Sequence, residues 1–294
     1  MNLNERLEKG EKLICDGGMG TQLIGKGLQG GKCPELWNLE HPEKIAEIHK
    51  SYISSGADLI TTNTFGGNLL KLKNFHLESK ADEINQAGVN IARKSAEEKT
   101  FILGDIGPTG EFLKPLGTYS REEFYKIFHK QSESLAKAGA DAIIIETMTD
   151  LGELTQAIKA SKDTGLPIIA SMAFTKDANR NNFHTMMGVD LKTFVNSAAS
   201  TGADVISVNC GSGAEEILEI VKHLRKLTSF PLMAEPNAGL PRLIKGKTLY
   251  EQPPESFADT ALKIFNAGAN IVGGCCGTTP DHIRALFNLT KNAA

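Results

Sequence analysis

Short apolar runs bounded by turn residues recur along the chain: "KLICDG" from residue 12, "ADLITTNTF" from 57, "TFILGDIG" from 100, "ADAIIIET" from 140, "LPIIASMAF" from 166, "ADVISVNC" from 203, "FPLMAEPN" from 230 and "ANIVGGCC" from 269. A strand that is apolar at nearly every position is buried on both faces, so these eight runs predict a parallel sheet covered by helices. Stretches of helical period lie between them, among them "HPEKIAEIHKSYISS", "SREEFYKIFHKQSESLAKA", "LGELTQAIKASKDT", "AEEILEIVKHLRKL" and "ESFADTALKIFNA". One phrase marks four of the junctions: "SGADLI" at 55, "AGADAI" at 138, "TGADVI" at 201 and "AGANIV" at 267. Each copy ends an amphipathic segment at or near a glycine and opens an apolar run, as a helix leading through a short turn into a buried strand would. Eight such units predict an α/β fold of the (β/α)8 TIM-barrel type, a single domain over residues 1–294. An open doubly wound sheet is the alternative, but no glycine-rich dinucleotide fingerprint follows the first strand.

Composition narrows the partners. The 294 residues are 40% hydrophobic and 23% charged, with a net charge of -3. Without a basic excess there is nothing to attract nucleic acid or an anionic membrane surface. No leader-like segment opens the chain and no apolar run approaches ~18 residues, so the expected location is the cytoplasm. Five cysteines, an odd and sparse set, are expected as reduced thiols rather than a disulfide framework.

A barrel carries its chemistry at the C-terminal ends of its strands. Those ends read Asp16, Asn63 with Thr64, Asp105, Glu146 with Thr147, Asn209 with Cys210, Glu235 with Asn237, and Cys275 with Cys276. Each polar residue has a plainer use, since such side chains also satisfy loop amides or cap the following helix. The cysteines stand apart. Cys210 closes the sixth run and Cys275 and Cys276 the eighth, which puts three thiols two strands apart on one rim. Three thiolates with one vacant position suit a catalytic tetrahedral zinc site, with a nucleophilic cysteine and simple packing as the alternatives. A nucleophile lacks an obvious base, because the seven histidines fall in helices or loops and mostly read as surface residues. Cys15 and Cys33 read as buried or incidental thiols.

Three thiolates on Zn²⁺ leave electron density on an incoming fourth sulfur, and the metal deprotonates that thiol without a side-chain base. The implied substrate is a thiol, and alkyl transfer suits the site better than hydrolysis. If the thiol is an amino acid, Asp16 and Glu146 can take its ammonium and the amides of "DGGMGT", with Gly17 and Gly18, its carboxylate. The polar loop "KDANRNNFHTMMGVD" could meet a donor or partner, or simply be a rim loop.

"DGGMGTQL", "ADLITTNTFGGN", "GDIGPTGE", "IIIETMTDLGEL", "VNCGSG", "EPNAG" and "VGGCCGTTPDHI" together resemble, in order and over nearly the whole chain, the zinc-dependent homocysteine S-methyltransferase family. Within it they are most similar to the branch that forms the N-terminal homocysteine module of cobalamin-dependent methionine synthase. The resemblance implies one zinc per chain on Cys210, Cys275 and Cys276. It also implies homocysteine held through Asp16 and Glu146, with Gly17, Gly18, Asn63 and Asn209 lining the pocket. No catalytic residue is implied beyond the zinc site. The wording of "TNTFGGN" and "GDIGPTG" points to a methyl-corrinoid or folate-linked donor, methylcobalamin being carried on a separate protein or module. A small donor such as S-methylmethionine or betaine, and a zinc-dependent thiol-binding module without turnover, are the alternatives.

Overall fold

The structure is a computed structural model that describes residues 2–177, 182–244 and 247–292. Eight parallel strands form one sheet: β1 (Leu13–Ile14), β2 (Leu59–Thr61), β3 (Phe101–Ile106), β4 (Ala142–Met148), β5 (Ile168–Met172), β6 (Val205–Gly213), β7 (Leu232–Asn237) and β8 (Ile271–Val272). Each pairs with its sequence neighbour, and β8 pairs with β1. Cys15 bridges Leu59 in parallel and the Asp16 amide donates to the Leu59 carbonyl at 2.9 Å, so the circle closes. The expected (β/α)8 TIM barrel is the fold observed.

A helix follows every strand: α1 (Pro42–Ser54), α2 (Ala81–Ser95), α3 (Arg121–Lys137), α4 (Leu151–Lys162), α5 (Leu191–Thr201), α6 (Ala214–Leu227), α7 (Pro254–Asn266) and α8 (Pro280–Asn292). Their starts are set locally. Ser120 and Glu123 form a capping box on α3, Asp150 and Asp190 cap α4 and α5, and Pro42 opens α1. A further short helix (Leu3–Glu8) precedes the barrel and inserts Leu3 and Leu7 into its lower end.

Strand alternation sorts the core into two layers. Ile60, Ile102, Ile143, Ile145, Ala170, Ile206, Val208, Leu232 and Val272 face outward and meet the helices. Leu13, Cys15, Leu59, Leu103, Ile144, Ile169, Val205, Met233 and Ile271 fill the barrel itself. The register shifts inside β4, between Ile145 and Met148, and inside β6, between Asn209 and Gly213. Bulges of this kind re-aim side chains, and both fall where the strands reach the rim.

Candidate active site

One turn of side chain above the apolar filling, the inward positions become polar: Thr61 on β2, Asp105 on β3, Glu146 on β4, Ser171 on β5, Asn209 on β6 and Glu235 on β7, with the Asp16 carboxylate bonded to Thr61. The Asp16 carboxylate accepts from the Thr61 amide at 3.0 Å and from its hydroxyl at 3.1 Å. Burial nevertheless raises Asp16 from 3.8 to about 7. Glu146 is likewise raised to about 7, chiefly by burial. Burial and the neighbouring carboxylates push Asp105 and Glu235 well above the usual range. Oδ1 of Asp105 and Oε2 of Glu235 are buried without a hydrogen-bond partner. This collection of acids is short of positive charge, so a bound ammonium would favour their ionised forms.

Asn209 is the hub. Its Oδ1 accepts from the Thr147 amide at 2.9 Å and the Ser171 hydroxyl at 2.7 Å. Its Nδ2 donates to Glu146 Oε2, to Thr147 Oγ1 at 2.8 Å and to Cys275 Sγ at 3.9 Å. Thr147 and Cys210 both adopt positive φ, 59° and 55°. That conformation is costly for residues with a Cβ, above all a β-branched one, and tends to persist where function uses it.

The Sγ atoms of Cys210, Cys275 and Cys276 lie within 4.8 Å of one another. Tetrahedral zinc with bonds of ~2.3 Å to sulfur needs sulfurs about 3.8 Å apart, so the donor set fits a metal ion of that kind. Hydrogen bonds from Cys210 and Cys275 push Cys276 down to about 3, and the same sharing holds Cys275 high. One sulfur is therefore readily a thiolate. The turn that carries the pair is held by its backbone: the Cys275 amide donates to Pro236 O at 2.9 Å, and the Cys276 amide to Asn237 Oδ1 at 3.1 Å. Gly18 packs against this turn so closely that a Cβ there would lie 2.6 Å from the Cys275 carbonyl oxygen.

The expected residues do not all serve one pocket in the same way. Glu146 and Asn209 meet beside Cys275, while the Asp16 carboxylate sits on Thr61 within electrostatic reach of Glu146. Gly17 and Gly18 border the cysteine turn, but the Gly18 amide already donates to Thr278 Oγ1 at 2.9 Å. Asn63 spends its Nδ2 on Pro34 O at 2.9 Å and Asn38 Oδ1 at 3.0 Å, the loop-satisfying use open to any strand-end residue. Cys15 is buried in the barrel filling, and Cys33 is buried against Glu35 Oε2 at 3.2 Å. Among the histidines, His49 is fully buried with neither ring nitrogen bonded, which pushes it down to about 4, and His282 is buried beside the cysteine turn. The surface assignment does not hold for these two. His184 lies in a short strand (Phe183–His184) rather than a loop or helix. In the "KDANRNNFHTMMGVD" loop, residues 178–181 lie outside the described residues.

Tyr250 was not singled out by sequence, being an isolated aromatic in the long β7–α7 connection. Burial and the nearby sulfurs of Cys276, Cys210 and Cys275 push its phenol up, so it keeps its proton.

Fold and site together define a (β/α)8 enzyme whose catalytic face presents a metal-competent trio of thiols above a cage of buried acids. The chain belongs to the homocysteine S-methyltransferase family, a family of methyltransferases, whose profile matches residues 13–290. It is 35% identical over 293 residues to a methionine synthase of Mycobacterium leprae and 33% identical over 302 residues to one of Mycobacterium tuberculosis. These alignments cover 93% and 95% of this chain but 24% and 25% of the relatives, so the chain spans about a quarter of their length. The oxidized form of the homocysteine methyltransferase MmuM from Escherichia coli superimposes with a TM-score of 0.79 at 26% identity, covering 100% of both chains. Its metallated form gives the same TM-score at 24% identity, covering 98% of this chain and 99% of that one, a likeness of fold. Among the described residues no helix is long and apolar enough to cross a membrane.

Proposed function

We propose that this barrel, a single homocysteine-binding domain over residues 1–294, transfers a methyl group to the sulfur of homocysteine to give methionine, using one zinc ion on Cys210, Cys275 and Cys276. The observation that carries the proposal is the convergence of those three Sγ atoms, from β6 and from the turn after β8, within 4.8 Å beside the acid cage. Cys210, Cys275 and Cys276 would hold the zinc, which would supply Lewis acidity to favour the thiolate form of an entering thiol.

The chain's own residues do the rest. Asp16 and Glu146 accept the substrate ammonium, whose charge replaces the protons that burial otherwise retains on them. Asn209 orients Glu146 and borders Cys275, linking the ammonium pocket to the sulfur pocket. Gly17 and Gly18 let the chain pack tightly against Thr278 and the cysteine turn beside the proposed carboxylate site, and Asn63 acts indirectly by tying the β2–α2 loop to Pro34 and Asn38. In the transfer the sulfur–methyl bond forms as the methyl–donor bond breaks, and no side-chain base is required.

The proposed donor is a methyl-corrinoid or folate-linked system on another protein or module. Ile24, Phe112, Leu116, Met186, Leu240 and Leu243 are exposed in the connections that follow β1, β3, β5 and β7, apolar surface better matched to a macromolecule than to a small donor. The expected setting is cytoplasmic.

The test is a methionine assay on zinc-analysed protein with homocysteine and, in turn, methylcobalamin, methyltetrahydrofolate, S-methylmethionine and betaine. Methionine from methylcobalamin is the expected result. Turnover with S-methylmethionine or betaine alone would overturn the donor assignment, and homocysteine binding without methionine from any donor would overturn the enzymatic one.

A further inference from the structure

Thr147 holds its left-handed backbone where β4 carries an extra residue: Ile145 pairs with Ala170 and Met148 with Met172, three steps on β4 against two on β5. Pairing pins the residues on both sides, so the irregularity is confined to Glu146 and Thr147. A β-branched residue is disfavoured in this conformation and glycine is not, yet a threonine occupies it. What the threonine supplies is a pair of contacts to one side chain. Its amide donates to Asn209 Oδ1 at 2.9 Å, and its Oγ1 accepts from Asn209 Nδ2 at 2.8 Å.

Those contacts decide which way the Asn209 amide lies. The oxygen and nitrogen of a carboxamide are alike in shape, and an amide free to turn over could offer Glu146 its oxygen, acceptor against acceptor. A backbone N–H can only donate, so the atom facing the Thr147 amide is the oxygen. The Ser171 hydroxyl donates to the same oxygen at 2.7 Å. Nδ2 is thereby turned toward Glu146, and it donates to Oε2 of that carboxylate. Thr147 is next to Glu146 in the chain and bonded to it through Asn209, so the two residues of the bulge and the Asn209 amide form one closed set of contacts.

We propose that Thr147 is a positioning residue for recognition of the substrate ammonium: acting through Asn209, it holds the Glu146 carboxylate in the orientation that receives the cation. The strained conformation is retained because it aims both the amide and the hydroxyl of one residue at Asn209. The inference rests on the ammonium site proposed above, and adds to it a residue that works through its neighbours.

Calorimetric titration of zinc-loaded protein tests it with two thiols, homocysteine and 4-mercaptobutyrate, which keeps the thiol, the chain length and the carboxylate but lacks the ammonium. The ratio of their dissociation constants reads recognition of the ammonium alone. In Thr147→Val the hydroxyl is lost, and in Thr147→Gly it is lost while the backbone adopts its conformation without strain, so a folding defect in the first leaves the second to decide. The expected result is a ratio reduced about 10-fold in both variants, through weaker homocysteine binding with 4-mercaptobutyrate unchanged, and a wild-type ratio in Thr147→Ser, which restores the hydroxyl. An unchanged ratio in the two hydroxyl-free variants, equal weakening of both thiols, or loss of the ratio in Thr147→Ser would overturn the inference alone. Wild-type protein that binds both thiols equally, or neither, contradicts the ammonium site and the inference with it.

Discussion

The lower and upper parts of the barrel interior use the same inward strand positions to opposite ends. Below, Leu13, Leu59, Leu103, Ile144, Ile169, Met233 and Ile271 interlock as an apolar filling, plugged by Leu3 and Leu7. Above, two residues further along the strands, Thr61, Asp105, Glu146 and Glu235 take those positions, with Asp16 bonded among them. The lower part contributes stability by removing apolar surface from water. The upper part opposes it, because buried acids without a counter-cation must keep their protons or carry unpaired charge. A barrel of this kind divides its interior between a floor that holds the fold and a ceiling whose polar groups become satisfied when ligand arrives.

Substitutions should separate the two parts. The largest effect is expected for Cys276→Ala, which removes zinc and lowers methyl transfer by more than the ~100-fold typical of losing an outer-shell partner. Metal analysis and the methionine assay check it, with Cys33→Ser as a control that keeps both. Asn209→Ala comes next. With its amide gone, Glu146 and the Thr147 amide lose a partner, and activity should fall ~10–100-fold while the melting temperature changes little by comparison.

In the lower part, Leu103→Ala should cost ~2–5 kcal/mol in a denaturant titration. It should leave the zinc content of the folded protein unchanged, and loss of zinc there would blur the division. The smallest effect is on pH dependence. Asp16 rises from 3.8 to about 7 on folding, so the unfolded chain releases that proton first. Stability of ligand-free protein should therefore decline as pH rises from about 4 to about 7, and Asp16→Asn should flatten that decline. Homocysteine, by placing an ammonium beside Asp16, should bind more tightly as pH rises through the same range.

Much of the lower part was legible in the sequence because burial on both faces writes itself as unbroken apolar runs. All eight runs contain barrel strands, although "KLICDG" and "ANIVGGCC" yield only Leu13–Ile14 and Ile271–Val272 as paired strand. The thiol trio was legible too, since strand order alone places the ends of β6 and β8 on either side of β7 at the same rim. Orientation was not. Asn63 and Asp16 both stand at strand ends, yet one turns to Pro34 and the other into the barrel, a choice made by loop packing that no local period encodes. Tyr250 and His282 escaped for a related reason. Both are set by contacts between the β7–α7 connection and the cysteine turn, which only the closed barrel brings together.

The central claim is that the upper part binds a thiol directly at a three-cysteine zinc centre. Zinc X-ray absorption on the purified protein, with and without homocysteine, tests it most directly. The expected result is three sulfur ligands at ~2.3 Å in the free protein, rising to four when homocysteine is added. A sulfur count that stays at three on saturation with homocysteine would contradict the claim.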